Sequence, residues 1–600
     1  MTRLQPKRQA PAPSPSEGMQ SIFDQALAFH RAGLLAEAEV LYRRVLKAFP
    51  RSFDCRHLLG VISYQRGDCA TAVLQIDAAL KIDSRVADAH LNRGNALKKL
   101  KRLDEALASY DRAAALKPRD PAILNSRGSV LRELQRFDEA LADLDAVIAA
   151  RPDFSDAFNN RGNVFKDLEQ SDAALADYDR AIALKPDNAS AFSNRGNLYK
   201  QLEQPEQALA DYDTAIALKP DHAEAVYNRG TTLMELGQHD RALADFDRAI
   251  PLKPGYTEAF YNRGTMLMEL GRLDEAVASF NEAIALKPDY SNALWNRALC
   301  RLLLGCYREA WADFEWRWRT DQMERDRREF NQPQWTGDID TAGKRILLHS
   351  EQGYGDTIMA ARYVRRVAER GAHVILDVPP ALAPLMAQIE GISVVTKGDT
   401  MPAFDLHCPL MSLPRAFNTT LETIPADVPY LSAPVTHLEK WRQRLPQAGA
   451  PRVGINWAGN HTFRRDAERS IGLPRMLPLL SRSDVRFFSI QRDLREGDRD
   501  ILRDNPHIVH LGDEVETFAD TAAIISLLDV VISSDTSVVH LAGALDKPVW
   551  ILLQLVPDWR WLLDRSDSPW YPTARLFRQS RRDDWTSPLA EVEQALASLA

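Results

Sequence analysis

The feature that most constrains this chain is a period. An arginine, mostly inside the triplet Asn-Arg-Gly, recurs at Arg93, Arg127, Arg161, Arg195, Arg229, Arg263 and Arg297, each 34 residues from the last. Glycine follows it at Gly94, Gly128, Gly162, Gly196, Gly230 and Gly264. Alanine recurs at Ala106, Ala140, Ala174, Ala208, Ala242 and Ala276, and proline closes the units at Pro118, Pro152, Pro186, Pro220, Pro254 and Pro288. A fixed period of this length means stacked supersecondary units, none of which buries its apolar face without neighbours. Small residues let two helices cross closely, and proline ends the second of them.

The pattern resembles the tetratricopeptide repeat, a helix–turn–helix unit, and so implies an α-solenoid. Weaker units extend it at both ends: Gly60 with Ala72, and Ala38 with Pro50, fit two earlier copies. A last unit from Ser291 has Ala298 for glycine and no closing proline, as an end repeat would. Nine units over 19–324 are expected, with "WADFEWRWR" as the cap that docks the array onto the carboxyl-terminal half of the chain. Residues 1–18 are Pro-rich and lack an apolar core, which reads as a disordered tail rather than a signal peptide.

Asparagine precedes the repeated arginine at Asn92, Asn160, Asn194, Asn228, Asn262 and Asn296. A carboxamide donates and accepts at once, so such a ladder can hold an extended peptide without demanding a sequence. The repeats of O-linked N-acetylglucosamine transferases have a similar ladder, which implies a groove for an acceptor protein; the plainer alternative is that asparagine solvates an exposed face. The arginines are matched by Asp111, Asp145, Asp179, Asp213 and Asp247, so a repeating Arg–Asp contact is expected. The "DYD" triplets at Asp177–Asp179 and Asp211–Asp213 mimic a metal-binding DxD, yet they fall on repeat helices at repeat spacing and are set aside.

Composition excludes several classes. A net charge of -8 without a basic tail argues against a general nucleic-acid binder. Five cysteines without CxxC spacing disfavour a zinc site or a disulfide framework. No apolar run approaches the roughly 20 residues of a membrane span. A soluble cytoplasmic protein is the expectation.

Beyond a linker at 325–343 the pattern changes to alternating strands and helices, which argues for parallel sheets. "KRILLHS", "HVILDV", "ISVV" and "FDLHC" belong to a first α/β half, 344–435. "RVGINWAG", "VRFFSIQ", "HIVHLG", "VVISSD" and "PVWILL" belong to a second half, 436–600, with a terminal helix. In the first half, "SEQGYGDTIM" comes after a strand and opens a helix, as a phosphate-binding turn does. The third glycine of such a turn is replaced by Ile358, and Asp356 stands in it. In the second half, "VVISSDTSVVHLAGALDKPVW" ends a strand at Asp535 and opens a helix at Thr536 and Ser537, with His540 one turn on. That arrangement suits an anion, although Asp, Thr and Ser are also ordinary helix caps.

The second stretch is similar to the "DTG-x-x-HLAAAL-x-x-P" segment of heptosyltransferases and their relatives in glycosyltransferase family nine, with Ser537 in place of the glycine. The resemblance implies a GT-B fold, two Rossmann-like halves, and a loop holding a nucleotide-sugar donor through Asp535, Thr536, Ser537 and His540. It further implies Arg469 against the donor phosphates and Gln491 near the nucleotide; Arg464 and Arg465 lie in the same loop. The "GD" turn, Gly355 and Asp356, faces the acceptor in such enzymes, and Asp356 would be the base that deprotonates its hydroxyl. "HCPLMSLP" offers His407 and Ser412 to the acceptor side, with buried packing as the alternative. No metal or cofactor is expected. Chains of this architecture resemble bacterial protein glycosyltransferases, some acting on flagellins. The other readings are a non-catalytic repeat scaffold and a lipopolysaccharide-type saccharide transferase.

Overall fold

A computed structural model of the chain describes residues 15–324, 327–351, 353–446, 449–462 and 466–599. Two compact units divide between Gln238 and His239. In the first, thirteen helices run from Pro15 to Glu235. In the second, five more run from His239 to Phe314 and precede the α/β part. Eighteen helices are the number that nine repeats need. The first begins at Pro15, so the tail read as 1–18 gives up its last four residues to a helix.

The repeated residues have distinct mechanical roles. A Cβ on Gly94 would stand 2.5 Å from the ring of Tyr110, which lies on the second helix of the same unit and is fully buried. Glycine is therefore required for the two helices to meet. The arginines tie the units together. Arg161 donates from Nε and from one terminal nitrogen to the two carboxylate oxygens of Asp177, each at 2.8 Å, and from the other terminal nitrogen to Asp145 of the preceding unit at 2.6 Å. Arg195 repeats the fork on Asp211 and reaches back to Asp179. This accounts for the "DYD" triplets: Asp177 serves the arginine of its own unit and Asp179 that of the next. Tyr178, between them, donates to Asn163 at 2.8 Å. Among the described residues, no group of three or more His, Cys, Asp or Glu is placed to hold a metal ion.

The α/β part holds two parallel sheets. The first comprises β1 (Arg345–His349), β2 (His373–Asp377), β3 (Ser393–Val395) and β4 (Leu406–Pro409), in the order β3-β2-β1-β4. The second comprises β5 (Arg452–Asn456), β6 (Arg486–Ser489), β7 (Ile508–His510), β8 (Val530–Ser534), β9 (Val549–Leu553) and β10 (Ala574–Arg578), in the order β10-β9-β8-β5-β6-β7. β8 and β9 are buried at every position, as strands covered on both faces must be. All nine strands expected from the sequence are present. β10, in "TARLFRQ", is additional to them: it is an edge strand that buries Ala574, Leu576 and Phe577 and carries two arginines, one of them exposed.

The linker expected at 325–343 packs on the first sheet. Trp335 is fully buried, and its backbone amide donates to the His407 carbonyl at 2.7 Å, beside a bridge from Gln334 to His407. Within the second unit the Trp-rich segment does dock: the Trp311 indole donates to the Thr419 carbonyl at 2.8 Å, and the Trp570 indole to the Tyr307 hydroxyl at 3.0 Å. Arg317 of the same segment is wholly buried and forks onto Glu351, just beyond β1, with contacts of 2.8–3.1 Å.

Replacing Arg195 by alanine leaves Asp211, 5% exposed, without its cation. The expected loss is about 3 kcal/mol, the cost of orphaning a buried charge. Urea unfolding monitored by circular dichroism reads it, and an unchanged midpoint would refute the role of the joint.

Candidate functional site

The carboxyl ends of β1 and β8 are brought face to face by one glycine. A Cβ on Gly355 would fall 2.7 Å from Cδ2 of His540 and 3.4 Å from the Cα of Ser537. The helix Tyr354–Ala360 therefore lies directly against the start of the helix Ser537–Ala544. The two loops singled out in the sequence, far apart along the chain, share one site within the second unit.

Asp356 sits in the first turn of its helix. One carboxylate oxygen accepts from the Gly353 amide at 2.9 Å, so the group is a cap as well as a site residue. The other oxygen is ion-paired to Arg560. Asp356 lies deep in the protein, yet 22% of its side chain stays open to solvent. Burial pushes its carboxyl above the usual aspartate range, against the pull of Arg560. A raised, partly open carboxylate has the chemistry of a proton acceptor.

Asp535 comes directly after β8 and is partly open. Burial pushes it up to about 7, and the negative charge of Asp558 adds to the shift. Its backbone carbonyl accepts from Arg469 at 3.1 Å, which places that guanidinium beside the loop; Asp466 braces it from behind at 3.2 Å. Thr536 is the N-cap of the next helix, accepting from the Val538 amide at 3.3 Å, and Asn456 donates to it at 3.2 Å. Ser537, half-buried, is the first residue of that helix.

Several expected site residues are engaged in holding the site. His540 is buried, with Nδ1 3.0 Å from the Tyr571 hydroxyl and its ring stacked on Trp561 at 5.4 Å. Burial, with Arg560, Arg362 and Arg469 nearby, keeps it neutral. Gln491 accepts from the amides of Trp457 and Ala458 at 3.1 and 3.0 Å and donates to the carbonyls of Ala458 and Asp493, so its carboxamide clasps the loop after β5. Ser412 does not face an open acceptor side. It is 3% exposed, accepting from Arg317 at 2.8 Å and donating to Glu315 at 3.1 Å. The hydroxyl completes the shell of a buried guanidinium, a need the sequence does not display. His407 lies 3.3 Å from His349 and packs on Phe330. Arg464 and Arg465 lie outside the described residues.

The asparagine ladder is half-buried on the first helices. Asn160 donates to Asn125 and Asn194 to Asn159, both at 2.9 Å, and Asn228 to Asn197 at 2.8 Å. Asn92 meets His57 at 3.0 Å; in the second unit Asn296 meets Tyr261 at 3.4 Å, and Asn262 is likewise engaged. Within each of the two units, Asn92, Asn160, Asn194, Asn228 and Asn296 link a first helix to the one before it. Among the described residues, the carboxamide oxygens of Asn160 and Asn194 accept no hydrogen bond, which leaves them for another ligand.

The residue that sequence reasoning missed is Arg560, in the short 3-10 turn Trp559–Trp561. Besides Asp356 it holds Asp558 at 2.8 Å, and it lies over the Trp559 ring at 4.5 Å. Its signal was "PDWRWLL", an arginine between two tryptophans shortly after a strand.

Tetratricopeptide repeat models match residues 87–120, 193–257 and 257–290, and a TPR repeat model matches 162–203. These stretches are tetratricopeptide repeats. Over 317 residues the chain is 23% identical to Protein FlbA of Caulobacter vibrioides, across 48% of this chain and 52% of that protein. The chain thus spans about half the length of the curated relative it matches. Among solved structures, a tetratricopeptide repeat protein from Parabacteroides merdae is 19% identical, covering 41% of this chain and 98% of its own, with a TM-score of 0.33. TTC0263, a TPR protein of Thermus thermophilus, is 23% identical over 30% of this chain and 100% of its own, with a TM-score of 0.29. YrrB, a TPR protein with an unusual peptide-binding site, is 25% identical over 36% of this chain and 95% of its own, with a TM-score of 0.22. Among the described residues, no helix is long and apolar enough to cross a membrane.

The raised value of Asp535 has a consequence for stability. The folded protein keeps a proton there that the unfolded chain gives up near the ordinary aspartate value. The stability owed to this group is therefore fully present below about pH 4 and falls as pH rises toward about 7. Asp535→Asn imitates the protonated acid, so it should melt with the wild type near pH 4 and above it near pH 8. Scanning calorimetry at both pH values reads the difference, and parallel melting would show that Asp535 does not hold the proton.

Proposed function

We propose that this chain is a metal-independent glycosyltransferase with its two α/β halves in a GT-B arrangement. It would move a sugar from a nucleotide-sugar to a serine or threonine hydroxyl of a protein recruited by the repeats, in the cytoplasm, with no cofactor. The observation that carries the reading is Asp356: a deep, partly open carboxylate with a raised proton affinity, held by Gly355 against the loop that opens the helix Ser537–Ala544.

In this reading the nucleotide phosphate lies at the amino end of that helix, where backbone N–H groups and the helix dipole favour an anion, and Arg469 adds a charge. Asp356 takes the proton of the acceptor hydroxyl. The oxygen attacks the anomeric carbon from the face opposite the phosphate, and the bond to the phosphate breaks with its electron pair passing to the phosphate oxygen. The anomeric centre is inverted. Arg469 compensates the charge that develops on the leaving group, as a metal does elsewhere. Gln491, Asn456 and Thr536 hold the donor loops in place rather than taking part in the chemistry.

The repeats and the uncommitted oxygens of Asn160 and Asn194 support a protein acceptor. A flagellin is the acceptor to test first, given the resemblance of the architecture to flagellin-modifying enzymes. A repeat scaffold without catalysis is the second reading. One observation favours it: both oxygens of Asp356 are already engaged, one by Gly353 and one by Arg560.

Asp356→Asn separates the two readings. In an assay of sugar transfer to flagellin, monitored by intact-protein mass spectrometry, turnover should fall by about 10²- to 10⁴-fold, the range of a lost general base. Binding of the nucleotide should persist. Transfer at the wild-type rate would remove Asp356 from the mechanism. Replacing Asn160 and Asn194 together by alanine should raise KM for the protein acceptor and leave donor hydrolysis unchanged; an unaltered KM would remove the ladder from acceptor binding.

A further inference from the structure

Two guanidiniums of this site, Arg560 and Arg469, already have anionic partners. Asp356 and Asp558 both contact Arg560, and Asp535 lies within electrostatic reach of Arg560 and Arg469. With Asp466, which pairs with Arg469, four carboxylates face these two guanidiniums. A third guanidinium, Arg362, is turned into the carbonyl oxygens of Met359, Pro425 and Trp570, and the imidazole of His540 is neutral. Among the described residues, a phosphate entering such a site meets no surplus of positive charge. To bind Arg560 or Arg469, it must take that cation away from a carboxylate.

Arg560 is the cation placed for that exchange. It lies between Asp356, from the first half, and the loop at Asp535, from the second. Its side chain is 6% exposed, and among the described residues its buried Nε has no hydrogen-bond partner, although a buried guanidinium ordinarily uses all of its donors. The Ser534 hydroxyl, wholly buried at the end of β8 beside Asp535, also lacks a partner among the described residues. Two unused donors thus flank the loop proposed to hold the donor phosphate.

We infer that Arg560 binds the leaving phosphate of the nucleotide-sugar, and that Asp356 holds this guanidinium in reserve until the donor arrives. The inference rests on the glycosyltransferase reading and adds a control to it. Without donor, Arg560 occupies the carboxylate oxygen that would take the acceptor proton. When the phosphate claims Arg560, that oxygen is released. Donor binding and an available base are then two sides of one equilibrium, and the coupling works equally in both directions. The double engagement of Asp356 by Gly353 and Arg560 then belongs to the control of the base.

The exchange makes an unusual prediction. Asparagine at 356 keeps the volume and the acceptor for the Gly353 amide, and removes only the charge that restrains Arg560. In calorimetric titrations of the full chain with UDP, GDP, ADP and CMP, the nucleotide that binds the wild type should bind Asp356→Asn roughly tenfold tighter or more. Arg560→Lys keeps a charge but loses the fork, and should bind that nucleotide more weakly than the wild type. Equal or weaker binding by Asp356→Asn overturns the inference and leaves the donor site standing, as does undiminished binding by a folded Arg560→Lys. If none of the four nucleotides binds either the wild type or Asp356→Asn, the donor-site reading falls, and this inference with it.

Discussion

The candidate site depends on a guanidinium that water does not reach. Arg317, contributed by the segment that caps the repeats, is fully buried and forks onto Glu351 in the loop that leads from β1 to Asp356. Burying such a pair is costly, and it is tolerated only when the remaining donors and acceptors are met. Here they are: Glu351 also accepts from the Met411 amide at 2.8 Å, and Arg317 also donates to Glu315 and Ser412. Even so, burial pushes Glu351 up to about 7. The loop carrying the proposed base is thus positioned by a residue of the repeat cap, and the α/β part is not self-sufficient in this respect.

The repeats solve a related problem with smaller means. Several units bury a carboxylate, such as Asp177 or Asp211, and bring their own arginine to it, while Ser109 and Ser279 take that place beside Arg93 and Arg263. The spare nitrogen of that arginine reaches the preceding unit. The asparagines perform the same stitching on the other helices. Because every link joins nearest neighbours, the array gains stability unit by unit, as solenoids do. The inner carboxylates are held at a fixed spacing without drawing on the α/β part.

At the cleft, burial acts on carboxylates and imidazole in opposite senses. Asp356 and Asp535 are pushed toward their neutral forms, and so is His540, which is neutral when deprotonated. What charge remains is concentrated on Arg469, Arg560 and the aspartates they face. Under the inference drawn above, an arriving anion would rearrange these ion pairs, and Asp356, Arg560 and the loop at Asp535 would act as one unit.

Local chemistry made much of this legible in advance. The period of 34 residues specified the solenoid. The apolar runs bounded by turn residues specified nine of ten strands, and the pairing of the arginine and aspartate columns came from their shared spacing. β10 escaped because an edge strand with one buried face and two arginines looks like a loop. The sequence by itself therefore determined the elements and the loops at their ends, since these depend on neighbours a few residues away. Only the tertiary structure decided what the loop residues face. Arg560 meets Asp356 across 204 residues, and Arg317 meets Ser412 across 95. Whether Gln491, Ser412 and His540 are open or engaged turns on buried polar groups that must find partners wherever the fold brings them. No local pattern records such a partner, because desolvation is felt only once the chain has closed around it.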